Sequence, residues 1–180
     1  EEISLGSHMQ GQTVHIRSYS KSHGPDLRIA GLSGPAHIVD PITARRMLGP
    51  GWTSRILQSL LVALLDDPES NAVVARAREI YSRRTQILTE HLEKRGVHVH
   101  PGDGVNLWIE VADERAALLM LAAAGIRVAP GSPFVIKASG PAHIRVTTAL
   151  LPDDDIAQVG IATRIASAAT AESSPRGGVS

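Results

Sequence analysis

Apolar and polar positions alternate along this chain with two different periods. From Thr53 onward, Ile56, Leu57, Leu60, Leu61 and Leu64 recur at helical spacing, with Thr53 or Ser54 available as N-cap, and predict a helix ending near Leu65. Asp67, Pro68 and Glu69 then supply a cap residue, a proline at the first helical position and an acid in the first turn. The stripe Val73, Val74, Ala77, Ile80, Tyr81, Ile87, Leu88 and Leu92 carries this second helix to a stop at Gly96. Roughly 25 residues at the usual helical rise make it about 40 Å long, more than a small lobe needs. It is therefore expected to connect two lobes.

Beyond Gly96 the elements shorten. Val97 to Val99 reads as a strand, and Val105, Leu107, Ile109 and Val111 alternate with Asn106, Trp108 and Glu110 as a half-buried strand does. Asp113 caps an Ala/Leu-rich helix ending at Gly125. Strands are expected at Ile126 to Ala129 and at His143 to Thr148, and Asp153 is expected to open a last helix to about Thr170. Ahead of the helices, Thr13 to Arg17 and Arg28 to Leu32 read as two short strands around a loop dense in Ser, Gly and Pro. The chain reads as α/β, with an α+β second half.

Composition narrows the chemistry. The 180 residues carry 18 Lys+Arg and 18 Asp+Glu, so the chain lacks the basic excess that nucleic acid or an anionic membrane would favour. With no cysteine there is no disulfide, thiolate metal site or Cys nucleophile, and a cytoplasmic location is expected. The richest apolar run, Ile56 to Leu65, is far shorter than a bilayer span. Residues 1–9 end in Gly6-Ser7-His8-Met9, the scar that cloning vectors leave, and are set aside as a tag remnant. Residues 171–180 read as a flexible tail. What starts at Gln10 without its own methionine is expected to be an excised C-terminal piece.

The chemically informative segment is Ser18-Tyr19-Ser20-Lys21-Ser22-His23-Gly24-Pro25-Asp26-Leu27-Arg28-Ile29-Ala30-Gly31. It sets an amine among hydroxyls, with a guanidinium seven residues on. A confined lysine can lose its proton and attack a carbonyl, while hydroxyls and a guanidinium fork suit a phosphate. Ser18 and Lys21 also fit the S-x-x-K pattern of serine β-lactamases, but the S-D-N and K-T-G partners are absent, and that reading is rejected. His98 and His100 would share a strand face, yet no third metal ligand stands at informative spacing. Arg76, Arg78, Arg83 and Arg84 read as a solvated helix face, and Trp108 and Phe134 as packing residues.

The lysine segment resembles the cofactor loop of fold-type I pyridoxal-phosphate enzymes, the aspartate aminotransferase superfamily. Together with Gly49-Pro50-Gly51-Trp52-Thr53-Ser54-Arg55 and the apolar run after it, it looks most like the aminotransferase-type domain of MocR regulators. These form the GntR subgroup in which a winged helix-turn-helix precedes that domain. The resemblance runs from about Val14 to about Ala169. It implies the C-terminal part of a fold-type I transferase: a large-domain remnant at 10–67, a connecting helix at 68–95 and a small α+β domain at 96–170.

Carried over by position, the resemblance implies that Lys21 forms the internal aldimine with pyridoxal phosphate and that Ser18 and Arg28 contact its phosphate, with Ser20 assisting. The stretch Val128 to Phe134 matches a turn of the family's small domain, and His143-Ile144-Arg145-Val146-Thr147 matches the strand whose arginine takes a substrate carboxylate. Arg145 is thus the expected carboxylate clamp, although without the resemblance a surface ion-pair partner would be the simpler reading. The family's other cofactor contacts, among them the aspartate at the ring nitrogen, lie upstream of its lysine, so the cofactor site is expected to be incomplete here.

The implied parent is a regulator that responds to an amino compound or amino acid, binds DNA through another domain, and forms a homodimer or other homo-oligomer. A genuine aminotransferase is the alternative, and an inert structural piece the second alternative.

Overall fold

In the computed structural model, residues 5–9, 11–100, 104–136 and 140–172 are described. The tail expected at 171–180 lies mostly outside them, as does the start of the tag remnant. The chain divides into two compact units, and the division falls between Arg76 and Ala77, inside a helix.

The first unit opens with an antiparallel hairpin of β1 (His15–Ser18) and β2 (Ala30–Ser33), paired from His15 with Ser33 to Ser18 with Ala30. Both strands lie within a residue or two of the expected positions. Helix α1 (Ala36–Met47) follows, which the apolar pattern did not announce. It buries none of its residues and carries Pro41 inside, where a proline removes a backbone donor. Helix α2 (Arg55–Asp66) matches the expected helix, and Ser54 is its cap, accepting a hydrogen bond from the Leu57 N–H at 3.4 Å. Asp67 starts α3 (Pro68–Glu93) by accepting the Ser70 N–H at 2.8 Å and the Ser70 hydroxyl at 2.6 Å. These bonds hold the Asp67 carboxyl below its ordinary pKa.

Beyond Ala77, α3 ends where Gly96 adopts φ 75°, a left-handed conformation that costs glycine nothing, and the Val97 N–H closes on the Leu92 carbonyl at 3.1 Å. The sheet of the second unit has the order β3 (Val99–His100), β4 (Asn106–Val111), β6 (Ala142–Thr147), β5 (Ala129–Pro130), all neighbours antiparallel. Helix α4 (Glu114–Ala123) begins at the expected cap, Asp113, and α5 (Asp155–Ala169) covers the last expected helix. Leu107, Ile109 and Val111 of β4 and Ile144 and Val146 of β6 point to one face, where Leu88 and Leu92 of α3, Leu121 of α4 and Ile165 of α5 bury them. The strand expected at Ile126 to Ala129 is only Ala129–Pro130, because Gly125 and Ile126 are used to close α4.

Asp153 does not cap α5. Asp154 does, accepting from the Ala157 N–H at 2.9 Å, while Asp153 takes a two-pronged hydrogen bond from Arg84 at 2.9 and 3.1 Å. Arg84 also donates to the Ala149 carbonyl, so it ties α3 to the corner before α5 and is not the solvated residue its helix suggests. The Arg84 pair holds the Asp153 carboxyl below its ordinary pKa. Buried Thr148 bridges the same elements, meeting the Thr85 hydroxyl at 2.7 Å and donating to the Val105 carbonyl at 3.1 Å.

The burial contrast sets an expectation for stability. Ile144→Ala, which empties a fully buried position, is expected to cost about 2–5 kcal/mol in urea unfolding followed by Trp108 emission in a Trp52→Phe background. Ile56→Ala removes a side chain that is 80% exposed and should change stability by less than about 0.5 kcal/mol.

Candidate functional site

In the first unit, the hairpin holds an eleven-residue loop, Tyr19 to Ile29, closed at its base by the Tyr19 N–H to Ile29 carbonyl bond at 3.0 Å. Its first turn is drawn tight by the N–H groups of Ser22 and His23, which both donate to the Tyr19 carbonyl, at 3.2 and 2.9 Å. The Tyr19 ring meets the His23 ring edge-on at 5.9 Å and carries the Arg17 guanidinium at 5.6 Å. His23 Nδ1 sits 2.8 Å from the Ser22 hydroxyl. The loop's second half is a single turn of 3-10 helix, Pro25–Leu27, anchored by Leu27, its buried apolar residue.

The four loop residues singled out by sequence fall on this frame. Ser18 ends β1, Ser20 and Lys21 occupy the first turn, and Arg28 follows the 3-10 turn. Ser18, Lys21 and Arg28 are exposed and Ser20 half-buried. Ser18 ends a strand instead of opening a helix, as the rejected β-lactamase reading would need. Arg28 stands at φ 48°, ψ 33°, the sole non-glycine left-handed residue among those described. Such a conformation costs on the order of 1 kcal/mol and persists where its neighbours over-determine it. Here those neighbours are buried Leu27 on one side and Ile29, bonded to Tyr19, on the other. The result is an amine, a hydroxyl and a guanidinium on one tied loop, with the Ser18 hydroxyl on the strand that leads into it.

Arg145 belongs to the second unit. It lies on β6 opposite Trp108 of β4 and Ala129 of β5, on the sheet face away from the apolar core. That face also carries Asn106 and Thr147, joined side chain to side chain at 2.9 Å. The Arg145 guanidinium stands over the Phe134 ring at 4.6 Å, and Phe134 meets Trp108 edge-on at 5.8 Å. Phe134 is 54% exposed, so its packing partners are Arg145 and Trp108 and not the core. Arg145 Nε is buried without a hydrogen-bond partner, and no carboxylate among the described residues pairs with the guanidinium. The ion-pair reading of Arg145 therefore fails among the described residues. An arginine fork held against an aromatic ring and lacking an acid is suited to a carboxylate or phosphate.

One residue that the sequence reading passed over organises this corner. Glu114, the first residue of α4, accepts the N–H groups of Gly131 and Ser132 on Oε2 and the Ser132 hydroxyl on Oε1, each at 2.8 Å. Gly131 also donates to the His143 carbonyl at 2.9 Å, and a Cβ there would lie 2.5 Å from that oxygen, so the close approach demands glycine. Burial pushes the Glu114 carboxyl up, but its hydrogen bonds from Ser132 and Gly131 outweigh that and hold it below its ordinary range. Nothing at the sequence level marks a glutamate 17 residues before Gly131 as its partner. His98 and His100 straddle Val99 at β3, and no group of three or more His, Asp or Glu among the described residues could hold a metal ion. No helix among the described residues is long and apolar enough to cross a membrane.

Because the folded state favours ionised Glu114, its stabilising contribution is complete above the ordinary glutamate range and is lost as pH falls through the lowered value. The stability difference between wild type and Glu114→Gln is therefore expected to be constant above about pH 5 and to shrink toward lower pH. Urea unfolding at a series of pH values measures it.

Comparison with known proteins places these features among known relatives. The family model for aminotransferase class I and II matches residues 3–160. The vitamin B6 salvage pathway transcriptional repressor PtsJ of Salmonella typhimurium is 36% identical over 143 residues, 78% of this chain and 33% of that protein. The HTH-type transcriptional regulator TauR of Rhodobacter capsulatus is 30% identical over 130 residues, 69% of this chain and 27% of that protein. Among solved structures, an aromatic aminotransferase from Pyrococcus horikoshii superposes with a TM-score of 0.77 at 22% identity, covering 93% of this chain and 46% of that one. The aspartate aminotransferase of Thermus thermophilus with maleate gives 0.76 at 24% identity over 93% and 44%. The chain thus spans about a third or less of these two regulators and under half of the enzymes.

Proposed function

The chain belongs to the aminotransferase class I and II family, and from that premise we propose that it is part of a pyridoxal-phosphate-binding effector domain of a MocR-type transcriptional regulator. The observation that carries the reading is the lysine loop: an exposed amine, two hydroxyls and a strained arginine on one hydrogen-bonded frame. That donor set fits a phosphorylated aldehyde. Lys21 supplies the amine that bonds to the aldehyde, Ser18 and Arg28 hold the phosphate, and Ser20 assists. When bound, the cofactor supplies an electron sink for an amino compound. Arg145 receives the carboxylate of that compound with its N–H edge, its guanidinium steadied by Phe134.

The regulator reading draws on PtsJ and TauR, both named as transcriptional regulators. In such a protein, DNA is bound by a separate domain, and ligand occupancy acts by favouring one of two global states with different ligand affinity. The second reading is a genuine aminotransferase, favoured by the 28% identity over 159 residues to the aminotransferase tdiD of Emericella nidulans. In that case Lys21 also moves the substrate's α-proton. A protein that binds neither cofactor nor amino acid is the third outcome.

Mixing the purified chain with pyridoxal phosphate is expected to give a visible absorbance band that borohydride reduction fixes on the peptide containing Lys21. Lys21→Ala should abolish the band, and Arg28→Ala should weaken cofactor binding by about tenfold or more, the scale of a charge-assisted hydrogen bond. No band with the wild-type chain overturns the cofactor reading. We also propose a homodimer, for which sedimentation should give a mass above the monomer at micromolar concentration; a monomer throughout counts against it.

A further inference from the structure

We propose that Glu114 is a positioning residue for anion binding at Arg145: by fixing the backbone of Gly131 and Ser132 it seats the Phe134 ring against the guanidinium and so aims the free N–H edge of Arg145. The inference rests on the reading of Arg145 as a carboxylate site and extends it to a residue that makes no contact with the anion.

Asp113 already caps α4, accepting the Ala116 N–H at 2.8 Å, so the next residue is free to serve another element. Glu114 spends both carboxylate oxygens on the turn after β5, with three hydrogen bonds of 2.8 Å. Gly131 shares its N–H between Glu114 and the His143 carbonyl, which locks the turn to β6 two residues before Arg145. The Phe134 N–H closes on the Gly131 carbonyl at 2.9 Å, so the turn that Glu114 holds also sets where the ring stands.

Arg145 depends on that ring for its direction. Nε has no hydrogen-bond partner, and no acid among the described residues takes the guanidinium, so the Phe134 face at 4.6 Å and the neighbouring Trp108 are what orient it. An arginine side chain left to rotate loses on the order of 1–2 kcal/mol of freedom when it must be fixed by its ligand, and a pre-aimed one does not. A carboxylate two elements away in sequence can therefore raise affinity for an anion that it would itself repel at short range. No ion pair joins Glu114 to Arg145 among the described residues, and Glu114 acts through the turn.

The test uses the whole chain carrying Trp52→Phe, so that Trp108 is the one remaining tryptophan. The Arg145 Nε–Hε resonance is recorded without ligand, assigned by its loss in Arg145→Lys. Succinate is then titrated against Trp108 emission. Glu114→Gln is expected to move the resonance out of the Phe134 ring current and to weaken succinate by about three- to tenfold at a temperature where the chain stays folded. Phe134→Leu should weaken it similarly, and Glu114→Gln should add less than about twofold in that background. Ser132→Ala, which removes one of the Glu114 bonds and spares the fold, is expected to shift the resonance the same way by less.

An unchanged Arg145 resonance in Glu114→Gln, or full additivity with Phe134→Leu, overturns the inference. Wild-type succinate binding that Arg145→Lys abolishes but Glu114→Gln leaves intact overturns it alone and keeps the carboxylate reading. No binding by wild type overturns both.

Discussion

The pairing of β4 with β6 is the constraint on which the second unit depends. Its register sets Ile109 beside Ile144 and Trp108 beside Arg145. Because side chains alternate along a strand, this single alignment sends the apolar residues of both strands to the helices and leaves Trp108, His143 and Arg145 on the other face. A slip of one residue would bury a guanidinium under α4 and α5 and expose the core. One end of the register is tied by a side-chain bond from Thr147 to Asn106, and on the other edge of β6 Gly131 leaves no room for a Cβ against the His143 carbonyl. Core and candidate anion site are two faces of one alignment.

Elements whose burial has a period were legible in the sequence. The alternation of half-buried and buried residues along β4, the stripe of α2 and the caps at Ser54, Asp67 and Asp113 all follow from local chemistry that a sequence displays directly. Helix α1 was not legible because it buries nothing, and a helix without a core-facing stripe leaves no periodic trace. The run Asp153-Asp154-Asp155 offered three adjacent caps. Which one serves α5 was decided from outside the segment, by Arg84 on α3 claiming Asp153. Local rules name candidates, and tertiary partners choose among them.

The same division holds for the candidate sites. Lys21, Ser18, Ser20 and Arg28 lie within eleven residues and drew a shared role from the resemblance of the whole segment; Ser18 ends β1 and the other three lie on the loop that follows it. Arg145 was singled out through the strand wording around it, and its carboxylate role is a proposal. Glu114 was not, and Phe134 was legible only as a packing residue, because their contacts run across 17 and 11 residues to partners that no spacing rule connects. The left-handed backbone of Arg28 was equally silent, since arginine carries no signal for that conformation.

The two units also differ in how deeply their residues are buried. Among the described residues, Leu27 and Leu61 are the buried apolar side chains on the first-unit side of Arg76, whereas the second unit holds a continuous cluster from Leu88 to Ala169. Amide protons in β1, α1 and α2 thus sit over little that resists local opening, while those of β4 and β6 are released only when the whole cluster comes apart. The lysine loop is built on the unit with few buried apolar side chains, and the arginine on the unit with the continuous core. A ligand that orders the loop would add order where the chain has least of its own, and its binding would register as slowed hydrogen exchange in the first unit before any change in the second.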